Sequence, residues 1–117
     1  MIYHILSKFD WETALVQRSY SPPSLTREGF IHFSNLSQVA ATADRFYRGA
    51  PGLLLLCVDE SRLASDLRIE PGADKPDELF PHLYGPLNLD AVAAIYELAP
   101  RADGTFVLPQ VLREDEQ

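Results

Sequence analysis

Three histidines are the side chains of this sequence best suited to chemistry, and each stands among apolar or aromatic neighbours: Tyr3-His4-Ile5, Ile31-His32-Phe33 and Pro81-His82-Leu83. A buried imidazole must find hydrogen-bond partners or give up its proton, so packing alone does not favour it. Taken singly, each reads most simply as a core histidine bonded to a carbonyl; taken together, the three point to a site. Adjacent strands lie about 4.8 Å apart, so two imidazoles directed inward from paired strands could reach one small ligand. His4 and His32 are the candidate catalytic pair. The three rings could instead hold a metal ion with an open position for water, if their nitrogens converge to about 2.1 Å from one centre. No pair has close helical spacing, so no metal ligand is assigned.

Ser24, Glu28, Ser34, His82 and Tyr84 are the candidate substrate-binding residues. Ser24 follows Pro22-Pro23, where restricted backbone freedom holds a hydroxyl or its amide in place. Glu28, beside Gly29, has the chemistry of a general base or of a carboxylate for ribose hydroxyls, and also that of a solvated turn residue. Ser34 reads first as a helix cap, and the helix start it marks would present free amides to a phosphate. Arg68 and Glu70 share a strand face at period two and read as a surface pair. Cys57 lies within Leu53-Leu54-Leu55-Leu56-Cys57-Val58, where a thiolate is disfavoured. The phosphate-loop, three-glycine dinucleotide, His-Glu-x-x-His and Gly-x-Ser-x-Gly patterns do not occur.

The elements that must position these groups follow from periodicity and turn chemistry. Residues 2–6 form a short apolar strand in which His4 shares a face with Ile2 and Leu6. Ser7 caps a helix of about three turns carrying Trp11, Ala14, Leu15 and Arg18. Residues 19–25 become a loop, because Pro22-Pro23 cannot continue that helix. Phe30-Ile31-His32-Phe33 makes a second strand, with His32 pointing alongside Phe30 and Ser34. Ser34 or Asn35 then starts the strongest helix, with Leu36, Val39, Ala40, Ala43, Phe46 and Tyr47 on one stripe and Gly49 at its end. Residues 53–58 form a central strand, residues 61–64 a helical turn and residues 67–70 a half-exposed strand. Residues 71–78 are a polar surface loop, and the prolines and glycine of residues 80–87 argue against a long regular element there. Residues 91–98 are a strand, and Asp103-Gly104 turns into a strand over residues 105–108. Residues 1–112 make one domain and residues 113–117 a frayed tail. The class is α+β.

At 117 residues with 46% hydrophobic content, the chain can bury one core without staples, and its single cysteine excludes an internal disulfide. A net charge of −7 repels polyanions, so bulk nucleic acid is not an expected partner. The longest apolar run is far short of the roughly 20 residues of a membrane helix, and the N-terminus has no secretion signal, which together suggest a cytoplasmic protein with no membrane partner.

Glu28-Gly29-Phe30-Ile31-His32-Phe33-Ser34 and Phe80-Pro81-His82-Leu83-Tyr84-Gly85-Pro86-Leu87, with Ile2-Tyr3-His4-Ile5, Trp11, Ala14, Ser24-Leu25, Gln38-Val39 and Phe46-Tyr47-Arg48-Gly49, resemble the bacterial domain of unknown function 952 family over nearly the whole chain. That family brings no established activity. More distantly the chain resembles the ADP-ribosyltransferase superfamily, above all its RNA 2′-phosphotransferase-like branch. This likeness implies two packed, split sheets around a cleft with two main helices, a first-strand histidine on the ribose of NAD, matched by His4, and a second motif near His32. It implies that residues 92–98 carry the third motif, and it gives His82 and Tyr84 no counterpart. Three readings follow: a protein binding NAD, ADP-ribose or a related nucleotide in a histidine-lined cleft, with ADP-ribosyl or phosphate transfer; a three-histidine metal-assisted enzyme; and a non-catalytic binding module in which Tyr3, Phe30, Phe33, Phe80 and Tyr84 are core.

Overall fold

The computed structural model describes residues 1–115. Two three-stranded antiparallel sheets organise it. The first is built from β1 (Ile2–Ser7), β3 (Leu53–Val58) and β6 (Val92–Leu98), with β3 in the middle. The second is built from β2 (Ile31–His32), β5 (Leu79–Tyr84) and β4 (Asp66–Pro71), with β5 in the middle. Two cores lie on the two faces of the first sheet, which explains why β3 is apolar at every position instead of alternating. Ile2, Leu6, Leu54, Leu56 and Val58 face the second sheet and meet Ile31, Phe33, Leu83 and Leu87. Tyr3, Ile5, Leu53, Leu55 and Cys57 face α3 (Val39–Phe46) and the C-terminal segment, which contributes Phe106, Leu108 and Leu112. The two sheets are joined where Tyr3 and Ser34 exchange backbone hydrogen bonds of 2.9 and 2.8 Å.

Ser7 caps α1 (Lys8–Gln17) as expected, its Oγ accepting from the Asp10 amide at 3.0 Å. The apolar stripe of α1 is narrower than its spacing suggests: Ala14 is buried and Trp11 packs on the core, whereas Leu15 is 52% exposed and Arg18 lies beyond the helix in a left-handed conformation. The loop after it contains one short helix, α2 (Pro23–Arg27), because a proline at the first helical position sacrifices no hydrogen bond.

Four expectations are corrected. Residues 36–49 are not one helix; a 3-10 turn over Leu36–Gln38 precedes α3, and the cap is the reciprocal box of Asn35 and Gln38, not Ser34. Residues 80–84 are regular, since β5 runs through Pro81, and only residues 85–87 leave the strand. The Pro81 carbonyl accepts from Phe33, just past the end of β2, and in an antiparallel strand the missing amide points the same way, so the ladder to β4 loses nothing. Asp103-Gly104 does form a turn, closed by Arg101 and Thr105, but no strand follows: Phe106 and Leu108 enter the second core, and the Phe106 amide donates to Asp44 at 2.7 Å. Residues 113–115 continue α4 (Gln110–Asp115) in place of a tail; residues 116 and 117 lie outside the described residues. Among the described residues, no helix is long and apolar enough to cross a membrane.

Because β3 is covered on both faces, its side chains have nowhere to relax. Leu55→Ala is expected to lower the unfolding free energy by about 2–5 kcal/mol, while Leu15→Ala on the exposed side of α1 stays within about 0.5 kcal/mol of the parent. Urea midpoints of the two variants check this.

Candidate functional site

The register of the second sheet lines up three side chains across its outer face: His32 is opposite His82, and His82 is opposite Arg68. One step further along, Tyr84 is opposite Asp66 and Phe80 opposite Glu70. Glu70 Oε1 is the hub, accepting from His82 Nδ1 at 2.9 Å and from the Tyr84 hydroxyl at 2.6 Å. A carboxylate only accepts, so Nδ1 of His82 carries the proton and Nε2 presents its lone pair. The Tyr84 and His82 hydrogen bonds hold the Glu70 carboxyl below the usual carboxylate range, and the same contact pushes the Tyr84 hydroxyl up. Arg68 donates through Nε to Asp66 at 2.8 Å and lays its guanidinium 4.3 Å from the centre of the Tyr84 ring.

Phe30 covers this arrangement. Its ring is stacked on His82 at 4.0 Å and leans on His32 and Tyr84 at 4.8 and 5.3 Å. The His32 and His82 rings meet edge to face, 5.6 Å between centres. His32 bonds Glu28 through Nε2 at 3.0 Å and is far more open to solvent than His82, which is 3% exposed. Yet no group among the described residues bonds His82 Nε2, and among those residues no side-chain nitrogen or oxygen is sealed from solvent without a partner. Nε2 is therefore the point at which an otherwise buried, carboxylate-backed imidazole reaches the surface. Gly85, at φ +151°, ends the strand just after Tyr84 where a Cβ would meet the Ser65 hydroxyl.

The model of the family described as "Protein of unknown function (DUF952)" matches residues 5–95, from Ile5 within β1 to Ile95 within β6, and takes in every residue of this face. The chain belongs to that family. It is similar to the crystal structure of CC0527 from Caulobacter crescentus, with a TM-score of 0.85 and 35% identity over 96% of this chain and 97% of that one. A double-methionine variant of CC0527 superposes with a TM-score of 0.84 at 34% identity over the same shares. The solution structure of CC0527 gives 0.77 at 36% identity over 89% of each chain. No curated protein matches.

Within this family fold, the expected pairing of His4 with His32 is replaced by that of His32 with His82. His4 points to the opposite side of the sheet, where Nδ1 donates to the His32 carbonyl at 2.6 Å and Nε2 accepts from the Tyr20 hydroxyl at 2.7 Å. Loss of solvation there lowers its pKa to about 4, and burial raises that of Tyr20. With both nitrogens of His4 engaged, the three rings do not converge, and among the described residues no group of three His, Cys, Asp or Glu side chains could hold a metal ion. The space between the sheets is packed with apolar side chains, and among the described residues the expected cleft does not open there. Two hollows of about 220 Å³ each lie elsewhere, one between α1 and residues 19–23, the other between residues 36–40 and the C-terminal segment.

Glu28, His82 and Tyr84 lie together on this face. Ser34 does not join them: it pairs with β1 and its hydroxyl reaches Thr42 at 3.4 Å. Ser24 lies in α2, its carbonyl accepting from the Glu28 and Gly29 amides, so it holds the turn that carries Glu28. Sequence reasoning misses three others: Glu70 and Arg68, which read as a surface pair, and Phe30, which reads as core. The signal that could have found them is the alternation of Asp66, Arg68 and Glu70 on one strand against His82 and Tyr84 on another, since period-two residues on paired strands share a face.

Two measurements test this electrostatic account. Tyr84→Phe removes the largest influence on Glu70, so its carboxyl titration, followed by carbon-detected NMR, is expected to move up toward 4.5; an unmoved titration would show that the hydroxyl is not its donor. His4 binds a proton more weakly folded, at about 4, than unfolded, at 6.5. Its contribution is thus complete above pH 6.5 and lost as pH falls toward 4, with a slope of up to about 1.4 kcal/mol per pH unit between. Denaturant titrations between pH 6.5 and 5 should show that slope flattened in His4→Gln.

Proposed function

We propose that the protein binds a small, phosphorylated, nucleotide-like molecule on the His32–His82 face of its second sheet. The observation that carries this reading is His82 Nε2, a lone pair held ready by Glu70 at the surface and without a hydrogen-bond partner among the described residues, whose sealed side-chain nitrogens and oxygens are all satisfied. The surroundings have matching chemistry. Phe30 and Tyr84 offer ring faces for a planar base. The η nitrogens of Arg68 make no hydrogen bond among the described residues and suit phosphate oxygens. Glu28 keeps one carboxylate oxygen for ribose hydroxyls, since only Oε1 meets His32.

The resemblance to ADP-ribosyltransferases makes NAD and ADP-ribose the first ligands to offer. His4 acts in this reading from behind, by holding the carbonyl of the residue whose side chain faces the ligand. Amide-resolved NMR titration with NAD, ADP-ribose, AMP and zinc is the test. Saturable shifts clustered on residues 28–32, 66–70 and 82–84 with a nucleotide, lost in His82→Asn, are expected. Shifts with zinc alone would move the site to metal chemistry, and no clustered shift with any of them would leave a binding module for a different partner.

A further inference from the structure

We infer that Glu70, His82 and His32 form a proton-transfer set that cleaves a phosphoester of the ligand, His82 serving as base and His32 as acid. This rests on the nucleotide reading above and adds the reaction to it. Four features of the face carry the assignment. The first is the fixed tautomer of His82, with Nδ1–H on Glu70 and Nε2 free. The second is its neighbour, a second imidazole 5.6 Å away, backed by its own carboxylate through Nε2 and with Nδ1 unbonded among the described residues. The third is the difference in exposure: His82 is 3% exposed and His32 half open, so His32 can reload its proton from water while His82 stays oriented. The fourth is Arg68, whose unbonded guanidinium nitrogens lie on the same face and suit the non-bridging oxygens.

The step balances without a metal or redox partner. The oxygen of water, or of a hydroxyl on the ligand, attacks phosphorus while its proton passes to His82 Nε2. The resulting imidazolium keeps Nδ1–H on Glu70. As the new P–O bond forms, the bond to the leaving oxygen breaks with its electron pair, and that oxygen takes the proton from Nδ1 of the His32 imidazolium, which Glu28 supports through Nε2. Solvent then restores both rings to their starting protonation. Among the described residues, Glu28, Asp66, Arg68, Glu70 and Tyr84 are the charged and titratable groups around the two imidazoles on this face, with Asp66 already paired to Arg68, and His4 stands behind His32 as a neutral ring bonded to its carbonyl.

The experiment uses the whole protein with adenosine 2′,3′-cyclic phosphate and bis(p-nitrophenyl) phosphate, followed by phosphorus NMR and absorbance across pH 4–9, with binding measured in parallel by amide shifts. Turnover with a bell-shaped pH dependence is expected. His32→Asn, at a half-exposed position that does not threaten folding, should reduce kcat by about 100-fold or more and abolish the alkaline limb. Glu70→Gln should reduce kcat more than it changes KM, because it disturbs the tautomer and not the contact surface. Amide shifts on the face without turnover would overturn the proton-transfer set while leaving the binding reading intact; neither shifts nor turnover would overturn both. Release of nicotinamide from NAD with no phosphoester cleavage would reassign the face to ribosyl chemistry and overturn the inference. Turnover unchanged in His32→Asn would overturn the acid assignment.

Discussion

A single imidazole on the inner side of a two-residue strand holds the arrangement together. β2 is too short to be held by its own ladder, with only two residues paired to β5. Beside the Tyr3–Ser34 bridge that follows it, what fixes it from behind is His4, which donates to the backbone carbonyl of His32 and is itself held by Tyr20. The cost of desolvating His4 is met by remaining neutral, and the neutral ring is the form that both donates once and accepts once. The position of the His32 side chain on the outer face is thus tied to the protonation of a ring on the inner face, through one peptide unit. Two histidines that never touch through their side chains are in this way mechanically one unit.

The outer face solves a different problem, that of placing carboxylates and bases together in an acidic chain. Glu28, Asp66 and Glu70 are each matched to one base, His32, Arg68 and His82. Two of the three pairs are well exposed and contribute little to stability by themselves. The His82–Glu70 pair is different in kind, because the ring is almost fully buried and its position is set by Phe30 above and the sheet below. There the carboxylate acts less as a countercharge than as a fixed acceptor that decides which nitrogen carries the proton, and Tyr84 on the same oxygen keeps it from rotating away.

Much of the fold is legible in the sequence where local chemistry and burial agree. Ser7 before α1 and the doubly covered run of β3 are such places, and both are where they were expected. The failures share a cause: the deciding partner is distant in sequence. Pro81 looks like a breaker until β2 is seen to stop beside it. Thr105 to Leu108 looks like a hairpin arm until Phe106 and Leu108 are drawn into the core beneath α3. Of the candidate site, the residue types were legible and the grouping was not. His4, His32 and His82 stand out from the sequence, but which two share a face depends on the antiparallel register of β2 with β5, and no local feature encodes that register. Glu70 remained hidden for the same reason, since it becomes a partner for His82 only across the β4–β5 ladder.

The cover over His82 constrains how any ligand can use it. α2 buries none of its residues fully, and Leu25 alone of its side chains packs on the first core, so the segment that ends in Phe30 is held down by few apolar contacts. Its attachment comes from Leu25 on the core, from the turn closed on the Ser24 carbonyl, from the Glu28–His32 pair and from the stack of Phe30 on His82. Gly29 sits between Glu28 and Phe30 at φ +90°, with nothing within 4 Å of where a side chain would begin, so the backbone there has both the conformational freedom and the room to turn. A planar ring approaching the face therefore has two courses. It can extend the stack on the outer side of Phe30, leaving His82 oriented and covered, or it can take the place of Phe30 and lie directly on the imidazole. The first preserves every contact seen here and presents only the Nε2 edge to the ligand; the second exchanges one aromatic contact for another of similar strength, so stacking energy alone does not separate them. The deciding term is the polar one: with Phe30 in place the Nε2 lone pair is already at the surface, and a ligand that reaches it along the edge forgoes none of the interactions that hold the segment in position.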